Sequence, residues 1–240
     1  MGLFKKTGKN SYWIALSDIM TALMLVFLLL FSLYMLKVNE NSNIINLKEK
    51  LEKSQAIPKN YKDLRLKLTA MLKEEFKDDL SKFNAVIGDD LTIRFNKPEI
   101  LFKTGEADLS KDFEKILDNF FPRYIKIITD KSIISNIDEI RIEGHTSSVW
   151  NDASKDDAYI KNMALSSKRA QSVLEYILRH SKESNFLKEH FRAIGFASAK
   201  TLDDNSNLTS KSGLKENYLN SQRVEFRVIT NIEDKLKDQK

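Results

Sequence analysis

One apolar stretch near the N-terminus constrains this chain more than any other feature. Residues 13–36 (WIALSDIMTALMLVFLLLFSLYML) contain a single charged side chain, that of Asp18. As a helix rising about 1.5 Å per residue, the stretch is roughly 36 Å long, enough to cross a hydrocarbon core of ~30 Å. An ionised carboxylate inside a bilayer costs at least ~2.5 kcal/mol, and such groups usually face protein and serve as proton or ion sites. We therefore predict one transmembrane helix over residues 13–36, with an ion-coupling role for Asp18.

The residues that flank this stretch predict its orientation. Lys5, Lys6 and Lys9 precede it, and positive charge favours the cytoplasmic side of a membrane. Residues 1–12 are therefore expected to form a short cytoplasmic tail. The apolar run exceeds the ~7–15 residues of a cleavable signal, and no small-residue cleavage site follows it. We expect an uncleaved, single-pass anchor; in a bacterium with two membranes, this is an inner-membrane protein with a periplasmic C-terminal domain.

The composition excludes several classes of function. The chain has no cysteine, so it has no disulfide, thiolate nucleophile or cysteine zinc site. No phosphate loop, dinucleotide fingerprint or nucleophile motif is present, and the near balance of charge beyond the N-terminal lysines predicts no direct nucleic-acid partner. Glu143 and His145 flank Gly144 and could suggest a metal site, but the chain has only 3 histidines and no second cluster to complete one. We predict no enzymatic activity, no cofactor and no metal.

Residues 37–84 predict a helical linker between the membrane and an outer domain. Ile44, Leu47 and Leu51 recur at helical spacing, which fits a helix that pairs with a copy of itself or plugs a channel. Pro58 is expected to interrupt this helix. A second amphipathic helix is predicted over residues 60–82, and its apolar face consists of Tyr61, Leu64, Leu68, Leu72, Phe76 and Leu80.

Residues 85–230 predict a mixed domain of strands and helices. Alternating apolar residues predict strands at 91–95, 137–142, 191–196 and 224–228. Helical periodicity predicts helices at 109–128 and 157–180, the first of them kinked or split at Pro122. This alternation favours an α/β or α+β sandwich, followed by a charged tail over residues 231–240.

Two motifs resemble known families. The span, Trp13-(x)4-Asp18-Ile-Met-Thr with an aliphatic run, is similar to the single span of MotB-type stator proteins. In the outer domain, the matching segments resemble the OmpA-like peptidoglycan-binding fold; they are Ile142-Glu-Gly-His-Thr146, Asn162-(x)2-Leu165-Ser166-(x)2-Arg169-Ala170, Gly195 and Arg223-Val-Glu225. Together they resemble the MotB/ZorB-type stator B subunits. The short N-terminal tail, and Ser147 and Ser148 after Gly-His-Thr, are closer to ZorB of the Zorya anti-phage systems than to flagellar MotB.

This resemblance implies a membrane motor. Stators of this class place a dimer of B subunits inside a pentamer of multi-span A subunits, an A5B2 assembly. Asp18 would then carry the coupling ion, H⁺ rather than Na⁺, with Ser17 and Thr21 as candidate partners. The OmpA-like domain would hold the dimer still on peptidoglycan while the ring moves.

The resemblance also implies a set of peptidoglycan-binding residues, namely Thr146, Asn162, Leu165 and Arg169. The last three fall on one face of a predicted helix, at steps of three and four. Arg169 could grip a peptide carboxylate through two hydrogen bonds; the alternative is an ion pair with a nearby acid. The family usually has an aspartate where this chain has Ser147, so the cation-binding half of the site would come from elsewhere, for instance Asp152 or Asp156.

Three other functions remain open at this point. The chain could be a flagellar MotB-like subunit, or a static peptidoglycan tether whose membrane acid is merely hydrogen-bonded. It could also be an energiser like TolR or ExbD, although their small periplasmic domains lack the Gly-His-Thr and Arg-Ala pattern. Arg223 is expected to form a scaffold ion pair rather than a ligand contact.

Overall fold

A computed structural model describes the backbone of residues 9–103 and 105–231, and the side chains of 12–39, 61–103 and 105–231. The chain divides into two compact units, Met1–Ala56 and Ile57–Lys240. The helices are α1 (Lys9–Phe76), α2 (Leu80–Phe83), α3 (Pro98–Leu101), α4 (Lys111–Ile128), α5 (Lys155–His180), α6 (Ser184–His190), α7 (Thr209–Ser212) and α8 (Tyr218–Ser221). The strands are β1 (Ala85–Ile87), β2 (Thr92–Phe95), β3 (Ile137–His145), β4 (Phe191–Gly195) and β5 (Arg223–Thr230).

The N-terminal part of α1 contains the predicted span. Tyr12–Asn39 is long and apolar enough to cross a membrane, with a mean hydropathy of 2.5. Its side chains are exposed, as expected for a helix whose apolar surface is meant for lipid or for other membrane helices. The predicted stripe of Ile44, Leu47 and Leu51 lies outside the described side chains, as do the predicted tails apart from Tyr12 and Asn231.

The prediction that Pro58 interrupts the helix is wrong, because α1 continues through this residue as one helix. A proline removes one backbone hydrogen bond, and the flanking turns of a long helix can remain helical on both sides. Pro122 is likewise accommodated, since α4 is one uninterrupted helix over Lys111–Ile128.

The C-terminal part of α1 belongs to the core of the second unit, Ile57–Lys240, which we call the outer unit after the predicted outer domain. Leu64, Leu68, Leu72 and Phe76 recur every four residues and are all buried, so they form a stripe along one helix face. The predicted helix over 60–82 is therefore right about its apolar face but ends too late. α1 ends at Phe76, and α2 follows after a short turn.

The outer unit is built on one five-stranded mixed sheet with strand order β1-β2-β5-β3-β4. β3 and β4 are parallel, and the other neighbours are antiparallel. The short edge strand β1 was not predicted from the sequence. Aromatic side chains from α4 and the sheet meet in the core, where Phe120 lies 5.0 Å from Phe95 and 5.4 Å from Phe226 between ring centroids. The predicted fold class, an apolar helix, a helical linker and an OmpA-like mixed domain, is confirmed.

Two glycines let α5 approach the ends of the parallel strands closely. A Cβ atom built on Gly144 would lie 2.2 Å from the carbonyl oxygen of Ser166, and one on Gly195 would lie 2.2 Å from Ser167 Oγ. Any larger residue would push α5 away from the sheet. The close approach places the middle of α5 beside the end of β3, where the predicted binding residues lie.

Candidate functional site

Arg169 is a buried cation on α5 without a carboxylate partner among the described residues. Its side chain is 4% exposed, its Nε donates to the Glu106 carbonyl at 2.9 Å, and its guanidinium carbon lies 4.7 Å from the centre of the Phe102 ring. Burial lowers the pKa of Arg169 to about 10. Since burying an uncompensated charge is costly, this arrangement favours an anionic ligand. The alternative prediction, an ion pair between Arg169 and a nearby acid, is not supported within the described part of the chain.

Asn162 lies two turns before Arg169 and holds the loop that follows β3. Its Nδ2 donates to the carbonyl oxygens of Ser147 at 3.0 Å and Val149 at 3.2 Å. Both amide hydrogens are therefore used inside the protein, so Asn162 positions the loop. The sequence placed Asn162 on the right helix face but gave no indication of this loop contact.

Of the other two predicted binding residues, Thr146 directly follows β3 and Leu165 lies on α5. The Thr146 backbone N–H donates to the Ala197 carbonyl at 3.0 Å, and its buried hydroxyl oxygen has no hydrogen-bond partner among the described residues. Leu165 is half-buried rather than part of the core. Ser166 was not predicted as a site residue; its hydroxyl accepts a hydrogen bond from the Ala197 N–H at 3.0 Å and so connects α5 to the chain after β4.

Ser147 occupies the position of the expected aspartate, and the carboxylate of Glu216 binds the residue that follows it. Ser147 is buried, and the next residue, Ser148, donates its backbone N–H to Glu216 Oε1 at 3.1 Å and its hydroxyl to Glu216 Oε2. Asp152 and Asp156 are exposed, and the side chain of neither has a hydrogen bond or ion pair within the described structure. Glu216 was missed because it lies 68 residues from Ser148 in sequence, and no local pattern reports such a contact.

A second cluster of charged groups lies on the neighbouring strands β3 and β5. Glu143, His145 and Glu225 are almost fully buried. His145 Nε2 lies 3.4 Å from Glu143 and 3.8 Å from Glu225. Burial is the main cause that lowers the pKa of His145 to about 4, against an opposing effect of Glu143. Its imidazole is therefore neutral at pH 7.

These three residues have potential metal-ligand atoms within 4.8 Å of one another, but four cations already surround the two carboxylates. Glu225 pairs with Arg223 at 2.7 Å, Arg94 at 2.9 Å and Arg227 at 3.3 Å. Glu143 pairs with Arg227 at 3.1 Å and Lys200 at 3.2 Å. A divalent cation would be repelled here, so the charge balance favours a structural ion-pair network. Arg223 is a scaffold residue, as the sequence predicts.

In the predicted span, the Thr21 hydroxyl is hydrogen-bonded within its own helix, because Oγ1 donates to the Ser17 carbonyl. Within the described part of the chain, neither Ser17 nor Thr21 bonds to Asp18.

Comparison with known proteins places these features in a family. Residues 101–213 match the OmpA family. Zorya protein ZorB from Escherichia coli is 36% identical over 234 residues, which cover 95% of this chain and 92% of that protein. The Bacillus subtilis protein YtxE is 26% identical, covering 94% of this chain and 91% of its own.

Among solved structures, a MotB-like protein from Desulfovibrio vulgaris is similar to this chain at 22% identity, with a TM-score of 0.46. The match covers 74% of this chain and 96% of that one. Family membership follows from the long sequence match to ZorB. The chain belongs to the ZorB family, and its outer unit carries the OmpA-like domain.

Proposed function

We propose that this chain is the B subunit of an ion-driven stator that is anchored to peptidoglycan, and that it is the ZorB component of an anti-phage Zorya system. Family membership supports the subunit type. The N-terminal helix is proposed to cross the inner membrane with its N-terminus in the cytoplasm, which places the OmpA-like domain in the periplasm. Two copies would stand inside a pentamer of multi-span A subunits.

The observation that carries the anchoring function is the buried guanidinium of Arg169, which has no carboxylate partner among the described residues. A peptide carboxylate from the cell wall would supply the missing counter-ion and could accept two parallel hydrogen bonds from the planar guanidinium. The Phe102 ring below it keeps the guanidinium plane fixed. Thr146 lies in the same region and offers a buried hydroxyl without a protein partner among the described residues, which could bond a ligand amide.

Ion coupling is assigned to Asp18. An apolar environment favours the neutral acid, whereas a polar path favours the anion, so the carboxyl group can take up an ion from the outside and release it inside. One elementary charge that crosses 100 mV supplies about 2.3 kcal/mol. Each change of charge alters the contacts that Asp18 makes with the surrounding ring, and the ring steps relative to the anchored dimer.

The anchoring function is tested with purified sacculi and the full chain in detergent. An Asn162→Ala/Arg169→Ala variant should lose sedimentation with sacculi. Arg179→Ala is the matched control, because Arg179 lies on the same helix but is exposed and pairs with Glu175, so this variant should sediment like the wild type. Thermal unfolding of each variant separates loss of binding from loss of fold. Equal retention of a folded double variant and the wild type would contradict the anchor.

A further inference from the structure

A groove between α4 and the end of α5 has no part in the proposed wall binding or ion coupling. Its volume is about 400 Å³, which lies within the range of sites that enclose a ligand or a few side chains. Its floor is apolar and consists of the buried side chains of Leu117, Phe121, Ile125 and Ile177. Its rim is exposed and charged and includes Asp118, Lys182 and Glu183. An apolar floor with a charged rim fits an amphipathic segment.

The rim also offers hydrogen-bond acceptors beside the apolar floor. The Tyr176 hydroxyl donates to Asp118 Oδ1 at 2.8 Å, and Oδ2 of this exposed carboxylate has no hydrogen bond or ion pair in the described part of the chain. Pro122 lines the groove and has no N–H, so the Asp118 carbonyl one turn earlier lacks its usual helical donor. A cationic side chain or a backbone N–H can therefore be bound next to the floor.

The described chain ends near this groove. Thr230, the last residue of β5, pairs with Ile137 at the start of β3. Phe191, the first residue of β4, lies one strand further across the sheet and pairs with Ile140. From the spacing of strands and their rise per residue, Thr230 and Phe191 are roughly 14 Å apart. The ring of Phe191 lies 5.8 Å from that of Phe121 in the groove floor, between centroids.

The residues beyond Asn231 have the composition that such a groove binds. Residues 232–240 (IEDKLKDQK), here named the C-terminal segment, carry Ile232 and Leu236 four positions apart among mostly charged residues. One helical turn would place both on one face. Lysines stand on both sides of Leu236 and can donate to a carboxylate. When extended, nine residues span at most about 32 Å, which exceeds the distance from the end of β5 to the groove.

We propose that the C-terminal segment docks in the groove between α4 and α5 of its own chain. Ile232 and Leu236 cover the apolar floor, and a lysine beside Leu236 binds the Asp118 carboxylate. A short tether keeps the effective concentration of the segment at the groove in the millimolar range, so contacts too weak to hold a separate protein are sufficient. The docked segment closes the groove to other partners. This inference depends on neither wall anchoring nor ion coupling.

Pairs of introduced cysteines test this contact in the full chain in detergent, because the natural chain has no cysteine. Asp238→Cys is combined with Glu183→Cys at the groove rim, and the rate of cross-linking by a bismaleimide is measured. The matched control combines Asp238→Cys with Asp89→Cys, at the exposed turn between β1 and β2. Asp89 lies no further from the end of β5, since the Val228 N–H donates to the Leu91 carbonyl at 3.2 Å.

We expect the groove pair to cross-link about tenfold faster than the control pair, the scale of partly burying one leucine side chain. The product should migrate as a monomer on a denaturing gel. Adding Leu236→Ser should lower the rate to that of the control pair, whereas adding Gln239→Ser should leave it unchanged. Thermal unfolding of each variant shows whether the outer unit is still folded.

Three outcomes would overturn the proposal. The first is an equal rate for the groove pair and the control pair in folded variants. The second is a fast groove pair that Leu236→Ser does not slow, because the apolar contact would then have no part in it. The third is cross-linking only between two chains that carry one cysteine each, which would assign the groove to the segment of another copy.

Discussion

Glu143 and Glu225 are directly opposite each other in the antiparallel pair of β3 and β5, and both side chains are almost fully buried. Two like charges in such positions repel each other. The repulsion is offset by Arg94, Arg223, Arg227 and Lys200, each within 3.3 Å of one of the two carboxylates. This network joins β2, β3 and β5 through their side chains.

Glu225→Gln should therefore destabilise the outer unit strongly. The change leaves the buried Arg223 guanidinium without its carboxylate, and breaking a buried ion pair from one side costs about 3–5 kcal/mol. The free energy of unfolding is measured by urea titration of the full chain in detergent, with Trp150 fluorescence in a Trp13→Phe background. Glu74→Gln, at an exposed pair with Lys77, serves as the control and should change stability by no more than about 0.5 kcal/mol. Similar losses in the two variants would contradict the network's role.

The buried His145 should make stability depend on pH. Burial lowers the pKa of His145 from its ordinary 6.5 to about 4, so the unfolded chain binds a proton between these values and the folded chain does not. Stability is then complete well above pH 6.5 and falls by about 2 kcal/mol as the pH drops to 5, a range in which unfolded carboxylates titrate little. Unfolding curves of His145→Gln should lack most of this fall. An equally steep decline in the variant between pH 7 and 5 would assign the dependence to other groups.

Gly144→Ala should separate α5 from the sheet. The added Cβ would lie 2.2 Å from the Ser166 carbonyl oxygen, which is backbone and cannot move aside freely. We expect a loss of roughly 1–3 kcal/mol or more from overpacking, together with weaker sedimentation with sacculi. Gly213→Ala is the comparison, since a Cβ there meets no described atom within 4 Å and only the positive φ is strained. If Gly144→Ala bound sacculi as the wild type does, the close approach would have no part in forming the site.

Leu72→Ala should unfold the outer unit more readily, because the end of α1 is part of its core. Leu72 is fully buried, and truncating such a leucine costs about 2–5 kcal/mol. Leu66→Ala on the exposed face of the same helix should cost far less, since Leu66 is 57% exposed. The same urea titration compares the two variants. An equal effect would mean that this part of α1 is only a linker.

Hydrophobic periodicity predicted those helices and strands whose pattern of buried residues is visible within a short stretch of sequence. The apolar face of α1 and the four longer strands follow from spacing alone, because each must bury one side of a regular element. The edge strand β1 has only three residues, too few to show a pattern. Pro58 misled because the local rule against helical proline does not include the support that neighbouring turns give a long helix, and Pro122 does not split α4.

The site was only partly predictable for a different reason. Sequence placed Asn162 and Arg169 on one helix face, and the structure adds what each one contacts. The absence of a carboxylate beside Arg169 among the described residues, the loop contacts of Asn162 and the approach of Glu216 to Ser148 all depend on residues far apart in the chain. Such contacts are created by the fold, and no motif spacing encodes them.

The most direct test of the motor is ion flux through Asp18. The full chain is reconstituted in liposomes with its multi-span partner, and proton uptake is measured under an imposed potential for the wild type and Asp18→Asn, with equal assembly checked by electron microscopy. We predict flux in the wild type and none above empty liposomes in Asp18→Asn, which keeps the size of the side chain but loses its charge. Equal flux in both, from equally assembled complexes, would contradict ion coupling at this residue.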